Sequence, residues 1–220
     1  MATLTPAELA PWVHAPTPPR RITEGCPEVK QALALSSLSS DSHKEEPSKS
    51  TTPLGADEIA VYKAVLEQRL SQGWTWLNVS DVTYLLDLKS DQSGMNCDCL
   101  QDLYLEDSSA FHSFHELTAD ILPGKKTVLV DPARQAQIVR ANDPDRTMRM
   151  GKTVHTAVRD AEATGLFSLS EIAFDRSHHY AIVRYGFWCG SLCGDGETLV
   201  FEKVGGQWKK TDRFCGRWIS

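Results

Sequence analysis

The carboxyl-terminal quarter of the chain alternates between short runs of β-forming residues and turns of only a few residues. The runs LSEIAFD, YAIVRYGFW, ETLVFEK and QWKKTDRF are separated by RSHH, CGSLCGDG and VGG. Connections this short join antiparallel neighbours, because a parallel crossover needs a dozen or more residues. The sequence therefore predicts an antiparallel β-meander, with Ala181, Val183, Tyr185 and Phe187 on one face of a strand.

Upstream of the meander, apolar residues recur at helical spacing and are bounded by capping residues. On this basis we predict four helices, over residues 57–73, 109–121, 131–142 and 152–164. The third has the clearest start, since Asp131 is a good N-cap and Pro132 suits the first helical position. Short strands are predicted at 75–79 and 126–130. Helices followed by a run of strands indicate an α+β fold.

Residues 1–56 differ in composition from the rest of the chain. They contain eight of the 11 prolines, and residues 36–52 read SSLSSDSHKEEPSKSTT, with a single large apolar side chain. Such a segment buries too little surface to offset the entropy lost on ordering. We therefore expect a disordered tail at 1–56 and a single α+β domain at 57–220.

The charge and hydropathy patterns exclude some classes of partner. The formal net charge is −6, so no basic excess points to nucleic acid. No stretch approaches the roughly 18 apolar residues of a transmembrane helix. Residues 1–35 also lack the apolar core of a secretory signal. We expect a cytoplasmic protein if the start is correct, and an exported one if a signal is missing from this sequence.

The cysteines are the most informative residues for chemistry. Cys189 and Cys193 flank the predicted turn CGSLCGDG, and Cys215 lies near the terminus, so the three sulfurs would meet at one end of the meander. We expect a disulfide, either Cys189–Cys193 or one from this pair to Cys215. Cys97 and Cys99 are too close to bridge each other, and we place them in an exposed acidic loop.

Two alternatives remain open for the same cysteines. A zinc knuckle would need a fourth ligand, such as a histidine, Cys97 or Cys99, and zinc is the only cofactor this sequence suggests. A redox thiol pair is the other. Both usually have two residues between the cysteines, whereas Cys189 and Cys193 are separated by three. The spacing favours the disulfide.

Aromatic and histidine side chains provide weaker candidates. Trp188, Trp208 and Trp218 lie near one predicted end of the sheet, where they would either line a ligand groove or pack the sheet. His112 and His115 fall one turn apart on the predicted helix 109–121. Because no HExxH pattern accompanies them, we expect histidines on a helix surface rather than metal ligands.

Residues 169–220 resemble the carboxyl half of a bacterial family of uncharacterised proteins. The family features are a short strand ending in F and D/N, a CGxLCGxG hairpin, a GxW strand and a final WxS. They are matched here by Ile172, Ala173, Phe174, Asp175, Cys189, Gly190, Leu192, Cys193, Gly194, Gly196, Trp208, Trp218 and Ser220. The helix from Asp57 matches more loosely. The resemblance implies the meander, and export for many members, but no activity and no catalytic residue.

Together these patterns favour a non-catalytic α+β binding or envelope-associated module with a cysteine-stapled carboxyl-terminal sheet. Its partner would be a protein or a small molecule, bound through the sheet face or through the acidic segment 81–107. Residues 81–120 contain nine acidic residues against Lys89 alone. The alternative is a thiol- or metal-dependent enzyme that uses Cys189, Cys193 and Cys215.

Overall fold

The computed structural model describes residues 47–88, 97–100, 102–105 and 109–220. Residues 1–46, most of the segment predicted to be disordered, therefore lie outside the described part of the chain. The domain boundary at residue 56 stays a prediction. Strand β1 (Ser48–Lys49) precedes the first helix and pairs in parallel with β3 (Ser113–Phe114).

Each of the three central helices begins at a side-chain cap. The described helices are α1 (Ala56–Ser71), α2 (Pro132–Ala141), α3 (Pro144–Arg149) and α4 (Val154–Thr164). Asp131, Asp143 and Thr153 accept hydrogen bonds from backbone N–H groups in the first turns of α2, α3 and α4. Helix α3 was not predicted, although its Asp-Pro start repeats that of α2. No helix in these ranges is long and apolar enough to cross a bilayer.

The main sheet of the described chain has eight strands. Besides β1 and β3, the strands are β2 (Leu77–Ser80), β4 (Thr127–Val130), β5 (Leu166–Leu169), β6 (Ala173–Phe174), β7 (Tyr180–Gly190), β8 (Cys193–Val204), β9 (Gln207–Lys210) and β10 (Arg217–Ile219). The order is β10-β8-β7-β5-β2-β4, with β6 also pairing β7 and β9 also pairing β8.

The carboxyl-terminal strands form the predicted antiparallel arrangement. Strands β7 and β8 pair from Tyr180 opposite Glu202 to Gly190 opposite Cys193. Strands β5 and β6 are antiparallel to β7, and β9 and β10 are antiparallel to β8. Strand β2 pairs in parallel with both β4 and β5. The α+β class is confirmed, and the meander extends a mixed sheet instead of standing alone.

The two faces of the sheet bury separate cores. On one face, Tyr62 and Leu66 of α1 pack with Phe167, Val183 and Phe201 of the sheet. The four residues predicted to share a face of β7 all lie in this core. The opposite face buries a smaller cluster of Leu86, Leu88, Cys99, Leu100, Leu103, Ala110, Ala173, Ile182, Val200 and Cys215.

The predicted helix at 109–121 is wrong. This segment consists of two short 3₁₀ turns, Ser109–Phe111 and Ala119–Ile121, on either side of β3. Its backbone forms hydrogen bonds with residues 81–86. The Thr83 N–H donates to the His115 carbonyl, and the Leu117 N–H donates to the Asp81 carbonyl. Pairing with residues 81–86 thus replaces the internal hydrogen bonds of a helix.

Candidate functional site

The β7–β8 hairpin ends in a disulfide between Cys189 and Cys193, whose Cα atoms lie 5.0 Å apart. The strand register shifts between Trp188 and Gly190, so that Gly190 lies opposite Cys193. Gly190 has φ of 152°, and a Cβ atom there would lie 2.6 Å from Cδ of Pro144. Only glycine fits this position. Because glycine has no side chain, the end of the hairpin can pack against the start of α3.

Asp143 joins the hairpin to the helices. One of its oxygens accepts the Arg146 N–H at 3.2 Å, as the cap of α3, and the other accepts the Ser191 N–H at 2.6 Å. The bond from Ser191 is the largest of the influences that lower the pKa of Asp143. One ionised carboxylate therefore fixes the hairpin tip relative to α3.

A cleft of about 510 Å³ lies between these two elements. Its lining combines three arginines and two aspartates with one apolar and one hydroxyl side chain: Arg140, Asp143, Asp145, Arg146, Arg149, Met150 and Ser191. Helices α2 and α3 supply the arginines, and the stapled hairpin supplies Ser191. We refer to this site as the arginine cleft.

The cleft has an excess of positive charge. Arg149 forms an ion pair with Asp145 one turn away on α3, and Asp143 is engaged by backbone donors. Among the described residues, neither Arg140 nor Arg146 forms an ion pair. Two exposed guanidinium groups therefore remain for an anionic group, which they can bind with paired N–H donors.

The three tryptophans named from the sequence do not form one groove. Trp188 is half-buried near the arginine cleft, with the Arg140 guanidinium 5.9 Å from the centroid of its ring. Trp208 is buried, and its indole N–H donates to Asp57 at 3.1 Å. Trp218 packs over Gly196, where a Cβ atom would lie 2.2 Å from the indole nitrogen. The last two are packing residues here.

Cys215 does not join the hairpin cysteines. It forms a disulfide with Cys99, with the Cα atoms 5.2 Å apart. Both residues are buried in the smaller cluster on the sheet face opposite α1, so the expectation that Cys99 lies in an exposed loop is wrong. Arg213 strengthens this junction by donating to the Cys99 carbonyl at 2.9 Å and by binding the Asp102 carboxylate.

The disulfides bear on the zinc and redox alternatives. All four cysteines with described side chains, Cys99, Cys189, Cys193 and Cys215, are paired, and a disulfide sulfur is not the thiolate that zinc binding or nucleophilic attack requires. Within the described ranges, no group of three or more His, Cys, Asp or Glu side chains is placed to hold a metal ion. The side chain of Cys97 lies outside them. Zinc binding stays a prediction.

The predicted surface histidine His115 lies in a buried polar cluster. Its Nδ1 is 2.8 Å from Oε2 of Glu171, and its backbone N–H donates to Oε1 at 2.8 Å. Thr83 donates its hydroxyl to the same oxygen. Glu171 is 1% exposed, and it joins the 81–86 segment, β3 and the β5–β6 connection. The sequence offered no signal for this contact, because its partners are far apart in the chain.

A second buried ionic cluster lies between α1 and the hairpin. Arg69 pairs with Asp195, and its guanidinium carbon lies 4.5 Å from the ring centroid of Trp74. Tyr185 donates its hydroxyl to Asp195 at 3.4 Å. Burial raises the pKa of Tyr185 to about 12. Both clusters are enclosed by the fold and connect distant segments, so we interpret them as structural.

Two of the nine acidic residues of 81–120 form ion pairs within the described chain. Asp102 binds Arg213, which holds the pKa of Asp102 at about 2, and Glu116 pairs with Lys49. Asp91 and Glu106 lie outside the described residues. The described acidic residues of 81–120 therefore contribute to intramolecular contacts as well as to the surface.

Sequence and structure comparisons give this chain no relative: no family model, curated protein or solved structure matches it. The resemblance of residues 169–220 to a bacterial family therefore stays a prediction that rests on the motif. The arginine cleft was missed by the sequence analysis. The one sequence signal for it was Asp143-Pro144, which repeats the Asp131-Pro132 helix start and predicts a helix with Arg146 and Arg149 one turn apart.

Proposed function

We propose that this chain is a non-catalytic binding module of an oxidising compartment, such as a cell envelope, and that it binds an anionic group in the arginine cleft. The observation that carries the proposal is the pair of guanidinium groups, Arg140 and Arg146, which have no ion pair in the described chain and face a hairpin fixed by Cys189–Cys193.

The cysteine pairs support the choice of compartment. Disulfides persist in secreted and envelope proteins and are rare in a reducing cytosol. The Cys99–Cys215 disulfide lies in a buried core and closes a separation of 116 residues, as expected of a structural bond.

The lining of the cleft supports binding rather than catalysis. Among the described residues, Ser191 is the one hydroxyl side chain of the lining, and no histidine stands beside it to act as a general base. The cleft wall is already fixed by a disulfide, by the Asp143–Ser191 hydrogen bond and by the contact of Gly190 with Pro144. A fixed wall reduces the ordering cost of binding.

Inorganic phosphate is a suitable first probe. In amide NMR of the oxidised full chain, we expect saturable phosphate-dependent shifts at the Ser191 and Arg146 N–H groups. The double variant Arg140→Gln/Arg146→Gln should abolish them. Arg134→Gln is the matched control, because Arg134 is also an exposed arginine of α2 but does not line the cleft.

The outcome that overturns the proposal is equally specific. If phosphate causes no saturable shift at these amides, or if the Arg134→Gln control loses the shifts as completely as the double variant, the cleft is not an anion site. A thiol-dependent activity that disappears on Cys193→Ala would instead favour the enzyme alternative.

A further inference from the structure

Two large apolar side chains are exposed beside the arginine cleft. Met150 lines it and is 74% exposed, while Leu192, next to Ser191 at the hairpin tip, is 82% exposed. A single exposed apolar residue needs no explanation. Here the two most exposed apolar side chains of the described chain are a residue that lines the cleft, Met150, and the neighbour of a lining residue, Leu192.

The charges around these side chains have the pattern of a membrane-binding surface. Arg140 and Arg146 have no ion pair in the described chain, and the three arginines of the lining outnumber its two aspartates. Asp143 keeps its charge, but both of its oxygens accept backbone N–H groups. Surfaces that bind anionic bilayers combine arginine or lysine with exposed apolar residues that enter the interfacial layer. The cleft and its two flanks have both components.

We infer that the arginine cleft is a membrane docking site, in which Arg140 and Arg146 bind the phosphate of an anionic lipid headgroup while Met150 and Leu192 enter the interface. This inference rests on the proposed function and names its ligand. A soluble phosphate ester would use the arginines alone and would leave both apolar side chains in water, which is why a lipid is the better fit.

The rigidity of the hairpin explains how Leu192 is presented to the bilayer. The disulfide joins the residues on both sides of Gly190, Ser191 and Leu192, and Asp143 holds the Ser191 backbone. The tip therefore keeps its shape without burying its own apolar residue. The whole chain has a net charge of −6, so attraction to an anionic surface must come from this local cluster and should weaken with added salt.

The test is cosedimentation of the oxidised full chain with vesicles. We expect binding to vesicles of phosphatidylglycerol mixed with phosphatidylcholine, and little binding to phosphatidylcholine alone. Each arginine at an anionic surface contributes about fivefold in partitioning, so Arg140→Gln/Arg146→Gln should lower it about 30-fold. Arg140→Lys/Arg146→Lys, which keeps the charge, should retain most of the binding.

The apolar contribution is tested separately. Met150→Ser/Leu192→Ser should lower partitioning about 30-fold, since each apolar side chain that leaves water contributes about fivefold or more. Val204→Ser is the matched control, because Val204 is an exposed apolar residue at the β8–β9 turn and does not line the cleft. All variants change surface residues, and their thermal unfolding should match that of the parent chain.

The outcomes separate this inference from the proposed function. If phosphate shifts the Ser191 amide but vesicles are not bound, the ligand is soluble, and the membrane inference is overturned while the anion site stands. If neither phosphate nor vesicles bind, both fail. Vesicle binding that is unchanged in Arg140→Gln/Arg146→Gln, or in Met150→Ser/Leu192→Ser, also overturns the docking geometry.

Discussion

Cys99 and Cys215 are 116 residues apart in the sequence, yet their Cα atoms lie 5.2 Å apart in a disulfide on the sheet face opposite α1. The bond joins the short 3₁₀ turn Cys97–Leu100 to the connection between β9 and β10. Arg213 lies beside it and binds the carbonyl of Cys99. The Cys189–Cys193 disulfide, by contrast, closes only the tip of one hairpin. The two bonds therefore have separate roles: one joins distant segments in the smaller core, and the other closes the hairpin whose tip carries Ser191 of the arginine cleft.

The first prediction concerns the unequal contributions of these bonds to stability. In the chain-entropy description, a loop closed over 116 residues contributes about 5 kcal/mol and the hairpin loop about 2 kcal/mol. Cys99→Ala/Cys215→Ala should therefore lower the free energy of unfolding in urea more than Cys189→Ala/Cys193→Ala. Equal losses, or a larger loss for the hairpin pair, would show that the core bond is not structural.

The strands could be predicted because their signal is local. Alternation along β7 placed Ala181, Val183, Tyr185 and Phe187 on one face, and short turns required antiparallel neighbours. The start of α2 at Asp131 was equally clear, since a cap and a proline act on the adjacent turn. Each of these predictions depends on residues within a few positions of one another.

The other features depend on contacts between distant parts of the chain. The apolar spacing of Phe111, Phe114, Leu117 and Ile121 is helical, but pairing of their backbone with residues 81–86 determines the structure. Likewise, the spacing of the cysteines does not indicate that Cys215 pairs with Cys99 and not with the hairpin cysteines, which are nearer in sequence. The arginine cleft needs the helix start at Asp143 and the hairpin tip to be in contact, which no local pattern reveals.

A second prediction compares two histidine–glutamate pairs. His115 and Glu171 are buried at 2.8 Å, whereas His179 and Glu202 are half-exposed at 3.1 Å. Glu171→Ala leaves the buried Nδ1 of His115 without a partner in the described chain, whereas Thr83 and the His115 backbone stay hydrogen-bonded to each other. The variant should therefore lower the free energy of unfolding by about 2–3 kcal/mol. Glu202→Ala should lower it by less than about 1 kcal/mol. Chemical denaturation measures both, and similar values would refute the role of the buried cluster.

A third prediction follows from the ionisation of Tyr185. Burial raises its pKa to about 12 in the folded chain, from an ordinary value of 10.0, so the unfolded chain loses this proton first as the pH rises. The contribution to stability is complete below pH 10 and is lost between pH 10 and 12. Tyr185→Phe should therefore weaken the alkaline loss of stability, as followed by urea unfolding across this pH range.

The control for this titration is Tyr104→Phe, because Tyr104 is 69% exposed. That variant should retain the full alkaline dependence of the parent chain. Burial also raises the pKa values of Tyr62 and Tyr84, so Tyr185→Phe should reduce the dependence without removing it. An unchanged slope in Tyr185→Phe would contradict the assignment of Tyr185.

We attribute the shape of the anion-binding cleft to the Cys189–Cys193 disulfide, and phosphate titration of the two disulfide variants measures this dependence. We predict that Cys189→Ala/Cys193→Ala remains folded but loses at least tenfold in phosphate affinity at the Ser191 amide. Cys99→Ala/Cys215→Ala should be less stable yet bind phosphate as the parent chain does, measured where both are fully folded. Undiminished phosphate binding without the hairpin disulfide would contradict the claim.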